Sequence, residues 1–284
     1  MTRLIALVDA SIYAESVCDH AAWAAERLNA TVTLLHVIGR REGEGAPQDI
    51  SGAIKLGART ALLEELAALD AERAKLAQKR GRAILEDAEA VLSRDGVTQV
   101  TRSLRLGDLL EALAEAEREA DLIVVGKRGE AADFAAGHLG SNLERIARAS
   151  RKPLLVAARA FKPIETVLIA FDGGQSCRKA VDHIANSPLF RGLTCRVMAA
   201  GRETPELRRK LDEAAYQLRH SDLETSVEIV PGQPEEAIAA IVEAGGADLL
   251  AMGAYGHSRI RTLIIGSTTS EMLRSCRIPV MLFR

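Results

Sequence analysis

Three glycines in the stretch GAYGHSRIRTLIIGSTTSEML, Gly253 to Leu273, have a spacing that a single turn does not require. Gly256 comes three residues after Gly253, nine residues separate Gly256 from Gly266, and Ser267 and Thr268 follow at once. Glycine allows a close backbone approach and reaches positive φ at little steric cost. Around a strand end and a helix start, such glycines let backbone N–H groups close on a phosphate, with the Ser267 and Thr268 hydroxyls as further donors. A second reading serves the same residues: the glycines make turns, and a hydroxyl caps the helix. The spacings Thr268-x-x-Glu271 and Ser141-x-x-Glu144 match capping boxes. Spacing alone leaves both readings open, and they can coexist.

Other chemistry is sparse. The chain has neither a Walker loop nor the G-x-G-x-x-G of dinucleotide-binding enzymes. Its four cysteines, Cys18, Cys177, Cys195 and Cys276, are scattered without metal-ligand spacing. No Ser/His/Asp or Cys/His set assembles from crevice-facing positions, so no catalytic residue is expected. His20 and His183 read as packing or capping residues, and His36 as structural. Asp9 and Asp172 differ, because each closes an apolar run where the crevice of an α/β sheet opens.

The elements that must hold these residues come twice. LIALVDASIYAESVCDHAA (Leu4 to Ala22) aligns without gaps on VLIAFDGGQSCRKAVDHIA (Val167 to Ala185), pairing Asp9 with Asp172. ADLIVVGKRG (Ala120 to Gly129) matches ADLLAMGAYG (Ala247 to Gly256), and Gly140-Ser141 stands before Pro153 as Gly266-Ser267 stands before Pro279. Three blocks in one order imply a duplicated domain. The expected boundaries are residues 1–160, with an insertion at roughly 39–75, and residues 161–284. In each copy, continuous apolar runs alternate with helical segments, the pattern of a parallel sheet covered on both faces. The fold class expected is α/β, two doubly wound, Rossmann-like domains. The insertion reads as a loop, RREGEGAPQDISG, leading into an elongated surface helix.

Composition narrows the partners. The 284 residues are 48% hydrophobic, 27% charged and 3% aromatic, with a formal net charge of -2. That balance gives no field for binding nucleic acid. No run approaches the ~18 apolar residues of a membrane span, and the start does not read as a signal peptide, so a cytoplasmic protein without a membrane partner is expected.

The G-x2-G-x9-G-S/T spacing, Asp172 and the terminal strand IPVMLFR together resemble the universal stress protein family, in particular its ATP-binding branch, which implies an adenine nucleotide alpha hydrolase-like fold for each domain; the duplication resembles its tandem members. The resemblance implies that Asp172 meets the ribose or adenine edge of ATP, with Ala170 and Ala200 lining the base slot and Met252 and Gly253 near the nucleoside. It implies further that Gly256, His257, Gly266, Ser267 and Thr268 hold the triphosphate, Mg²⁺ accompanying it through the phosphates. The first copy keeps the outline in Asp9, Val37, Gly126, Gly129, Gly140, Ser141 and Asn142. There, however, ten residues separate Gly129 from Gly140, and Glu130 sets a carboxylate by the phosphate loop. A weaker or lost second site follows, unless Lys127 and Arg128 compensate. The family also dimerises, so the terminal strands KPLLVAA and IPVMLFR could pair inside one chain as a pseudo-dimer, with a homodimer of the tandem chain possible. A scaffold without nucleotide and a slow ATPase are the alternatives.

Overall fold

The structure is a computed structural model that describes residues 1–39, 56–129, 141–254 and 267–284, without the side chains of 56–61 and 141. Gly140, Gly256, His257, Gly266 and the lead-in loop of the insertion therefore lie outside the described residues, as does the side chain of Ser141.

Residues 1–157 contribute strands β1 (Arg3–Leu7), β2 (Thr31–Ile38), β3 (Val100–Leu106), β4 (Leu122–Gly126) and β5 (Leu154–Ala157). The remainder contributes β6 (Thr166–Ala170), β7 (Thr194–Ala200), β8 (Thr225–Val230), β9 (Leu249–Gly253) and β10 (Val280–Phe283). All ten form one sheet in the order β3-β2-β1-β4-β5-β10-β9-β6-β7-β8. Every pairing is parallel except β5 with β10, where Leu155 faces Met281 antiparallel. The sheet is thus continuous through the terminal strands of the two halves.

Helices cover both faces. On one lie α1 (Ala14–Leu28), α2 (Leu56–Arg94), α5 (Gln175–Asn186) and α6 (Pro205–His220), whose apolar residues Val17, Leu92, Val181 and Leu211 join one buried cluster. On the other lie α3 (Leu109–Ala116), α4 (Ser141–Ala149), α7 (Pro234–Glu243) and α8 (Ser267–Ser275), contributing Leu113, Ile146, Ile238 and Met272 to a second. Strands such as β4 and β9 are apolar throughout because both of their faces are covered. The fold is α/β and doubly wound, as expected.

Each half runs outward from its first strand and then crosses back to its fourth. The order in which strands are added therefore reverses between β1 and β4, and again between β6 and β9, with the strands still parallel. A crevice opens at the carboxyl ends of such strands. Polar ties across the halves supplement the strand pairing: Arg27 Nε donates to Leu189 O at 2.6 Å and Arg284 Nη1 to Arg148 O at 2.7 Å.

Candidate functional site

At the reversal point of the second half, β6 and β9 lie side by side with Ala170 opposite Met252. Asp172 follows two residues after β6 and is exposed. Its Oδ1 accepts the Gly174 N–H at 2.7 Å, a turn that starts α5. Beneath it, Cys177 Sγ donates to Ala170 O at 2.9 Å, and burial, helped by Asp172, pushes the Cys177 thiol up to about 12. Ala170 and Ala200 are half-buried at their strand ends, and Met252 is buried. Small side chains thus border the crevice on the β6 and β7 side.

Gly253 has a packing reason to be glycine. A Cβ there would stand 2.8 Å from Ser176 Cβ and 3.2 Å from the Cys177 nitrogen, because α5 crosses directly over the end of β9. Its carbonyl accepts from Thr269 Oγ1 at 3.2 Å, and Thr269 is buried. That bond docks the first turn of α8 on the end of β9, which sets the helix N-terminus at the reversal point. Ser267 is exposed there. Thr268, half-buried, donates its hydroxyl to Glu235 Oε1 of α7 at 2.6 Å, while Glu271 pairs with Arg274. No capping box closes through Thr268; its hydroxyl serves a carboxylate instead.

In the first half, Asp9 follows two residues after β1, is half-buried, and its Oδ1 accepts from Ser11 N at 3.0 Å. Gly129 is brought to it, since a Cβ at Gly129 would lie 3.1 Å from Asp9 Oδ2. Gly126 repeats the packing of Gly253: its Cβ would stand 2.8 Å from Tyr13 Cβ. Tyr13 takes the place of Ser176, and its ring is buried. Leu143 takes the place of Thr269, so the hydroxyl tie to the fourth strand is replaced by an apolar contact. Asn142 is exposed and Val37 and Gly126 are half-buried. Arg145 of α4 pairs with Asp108 at 3.0 Å, and Asp108 caps α3 by accepting from Leu110 and Glu111 N–H groups. The Arg145 hydrogen bond, with those backbone donors, holds the Asp108 carboxyl below its usual range.

Lys127 does not serve the first crevice. It is buried, and its ammonium donates to Cys276 O beyond the carboxyl end of α8, in the other half. Burial lowers its pKa, and the helix-end carbonyl offers a favourable place for the charge.

Tyr13, Ser176, Thr269 and Glu235 pack or hydrogen-bond at the candidate crevices, and motif spacing did not single them out. The aligned repeats place Tyr13 opposite Ser176 and Leu143 opposite Thr269, which was the available signal. Glu235 carried none. A separate cavity of about 500 Å³ lies between the halves at the amino ends of the strands, bordered by Thr2, Asp121, His183 and Asn186, on the edge of the sheet away from these helix N-termini. Among the described residues, no helix is long and apolar enough to cross a membrane.

Comparison with known proteins gives a consistent picture. The model of the universal stress protein family matches twice, over residues 1–158 and 163–284. Universal stress protein Slr1230 of Synechocystis is 38% identical, with all of both chains covered. Among solved structures, a universal stress protein from Archaeoglobus fulgidus superposes with a TM-score of 0.73 at 17% identity, covering 99% of this chain and 98% of that one. A universal stress protein described as putative, from Pseudomonas aeruginosa, gives 0.64 at 16% identity, covering 100% and 93%.

Proposed function

The chain belongs to the universal stress protein family, with the family's domain in tandem, and from that premise we propose that it is a regulatory protein that binds ATP in its second half. The domains are taken as 1–160 and 161–284. The first acts chiefly as the structural partner of the second, the two forming a pseudo-dimer through β5 and β10.

One observation carries this reading: the Thr269 hydroxyl ties the start of α8 to the end of β9, beside the strand that leads to Asp172. A helix N-terminus at a reversal point of a doubly wound sheet is suited to a phosphate, and the exposed Asp172 carboxylate to ribose hydroxyls. Ala170 and Ala200 leave room for a base. Gly256, His257, Gly266, Ser267 and Thr268 are assigned to the triphosphate, which brings Mg²⁺ on its own oxygens. Occupancy would then alter conformation or partners; the described residues offer no nucleophile and base set for turnover. The features that suit a nucleotide are weaker in the first half, where Tyr13 and Leu143 replace Ser176 and Thr269.

Titration of nucleotide-stripped protein with ATP, followed by calorimetry, tests the assignment. Gly266→Val puts a branched side chain where the backbone must approach phosphate, and should lower affinity by about a hundredfold or more while the melting temperature stays near that of the parent. A folded Gly266→Val protein with parental affinity would refute the site. ATP turnover well above background would favour an enzyme instead.

A further inference from the structure

Helix α2 is far longer than the sheet it covers. Its 39 residues span about 58 Å, whereas the seven residues of β3 span about 23 Å. Its carboxyl-terminal part packs closely, with Leu85, Ala88 and Leu92 buried. Gly81 marks the limit of that contact: a Cβ there would lie 2.7 Å from Leu104 Cδ1 and 3.3 Å from Ile38 Cδ1, near the carboxyl ends of β3 and β2. Residues before Gly81 overhang the strands.

The overhang carries an apolar stripe that the described residues cover only in part, Leu62 and Leu66 being half-buried and Leu69 and Leu76 exposed. Leu62, Leu69 and Leu76 recur every seven residues, with Leu66 four after Leu62. Leu69 is 45% exposed and Leu76 68%. A helix of this length gains little from propensity alone in water, and a heptad of leucines is the seam of a coiled coil. Charge along the same segment is divided. Residues 62–71 carry Glu64, Glu65 and Asp70, whereas residues 72–82 carry Arg73, Lys75, Lys79, Arg80 and Arg82 against Glu72 alone. A parallel partner of the same sequence would set like charge on like. An antiparallel copy sets the acidic part of each helix on the basic part of the other.

We propose that residues 62–80 of α2 form a self-association surface, pairing antiparallel with α2 of a second copy of this chain. The heptad places Leu66 against Leu76 of the other helix and Leu69 against Arg73, with Glu65 beside Lys79 at both ends. Arg73 and Arg80, on the seam, limit stability and fix the register, as polar seam residues do. This pairing is distinct from the β5–β10 contact within one chain, and it does not depend on nucleotide binding.

Sedimentation of the full chain from about 1 to 100 µM should show a monomer–dimer equilibrium. Leu69→Glu with Leu76→Glu should leave only monomer, with far-UV circular dichroism confirming that the helix persists. Two further variants keep the leucines. Glu65→Lys alone and Lys79→Glu alone should each weaken the dimer by about tenfold, since each inverts two ion pairs. Mixed in equal amounts, they should form a heterodimer of near-parental affinity. A chain that stays monomeric throughout, a dimer indifferent to the leucine substitutions, or a mixture that fails to recover would each overturn the proposal.

Discussion

The two crevices of this molecule are built on one plan and differ at a few side chains. Both have a carboxylate two residues beyond the first strand, a glycine closing the fourth, and a helix crossing over that glycine. In the first half the crossing residue is the buried Tyr13, and helix α4 meets the sheet through Leu143. In the second these positions are Ser176 and Thr269, and the Thr269 hydroxyl holds the strand-end carbonyl. The comparison teaches that the fourth-strand glycine belongs to the architecture. The proposed nucleotide binding would depend on what surrounds it.

The largest expected difference between the halves is in acid. His20 is fully buried, edge-on to Phe161, with Nδ1 on Ser16 and Nε2 without a partner, and burial lowers its pKa to about 4. Its counterpart His183, beside Phe283, is also lowered by burial. A histidine depressed on folding contributes stability that is present above its unfolded pKa near 6.5 and is lost as pH falls toward the folded value. For His20 the loss between about pH 6.5 and 4 amounts to roughly 3 kcal/mol. Asp19, raised to about 6 by burial and by its hydrogen bond with Asp95, acts with the opposite sign. The informative quantity is therefore the parent minus His20→Leu, measured by urea unfolding across that range. Equal slopes for both proteins would remove His20 from the account.

Glycine substitutions probe the shared plan. Gly126→Ala and Gly253→Ala each force a Cβ into a crossing helix and should each destabilise by about 2 kcal/mol. Similar losses in both halves would support packing as the reason for these glycines. A loss confined to nucleotide affinity in Gly253→Ala, without change in stability, would return that residue to the ligand.

Glu235 sharpens the comparison further. Its carboxylate takes the Thr268 hydroxyl and adds negative charge close to the assigned phosphates. Glu235→Gln should tighten ATP binding by about fivefold at low salt, worth about 1 kcal/mol, and less at high salt. The smallest effect is expected from Asp108→Asn in the first half, which weakens the exposed pair with Arg145 and the α3 cap but should leave ATP binding unchanged. A calorimetric series over these variants checks both.

Much of the architecture was legible because burial on two faces writes itself as continuous apolar runs, seen in LIAL of β1 and VLIA of β6, and because duplication aligned them. The joining of the halves was legible only as a possibility, since β5 and β10 carry apolar residues that specify burial but no partner. Asp172 was correctly placed near the reversal point by its position after a strand. Gly253 was ambiguous: nearness to a ligand and nearness to α5 demand the same residue. Lys127, left open in the sequence as a compensating charge for the first crevice, is turned by the fold toward Cys276 O in the other half. Glu235 stayed hidden since the contact with Thr268 joins segments 33 residues apart.

The account rests on one competent crevice per chain. Denaturing freshly purified protein and counting the released adenine nucleotide by chromatography tests that most directly. Close to one molecule per chain is predicted. Two per chain would mean that Tyr13 and Leu143 do not disable the first half, and none would contradict the ATP assignment itself.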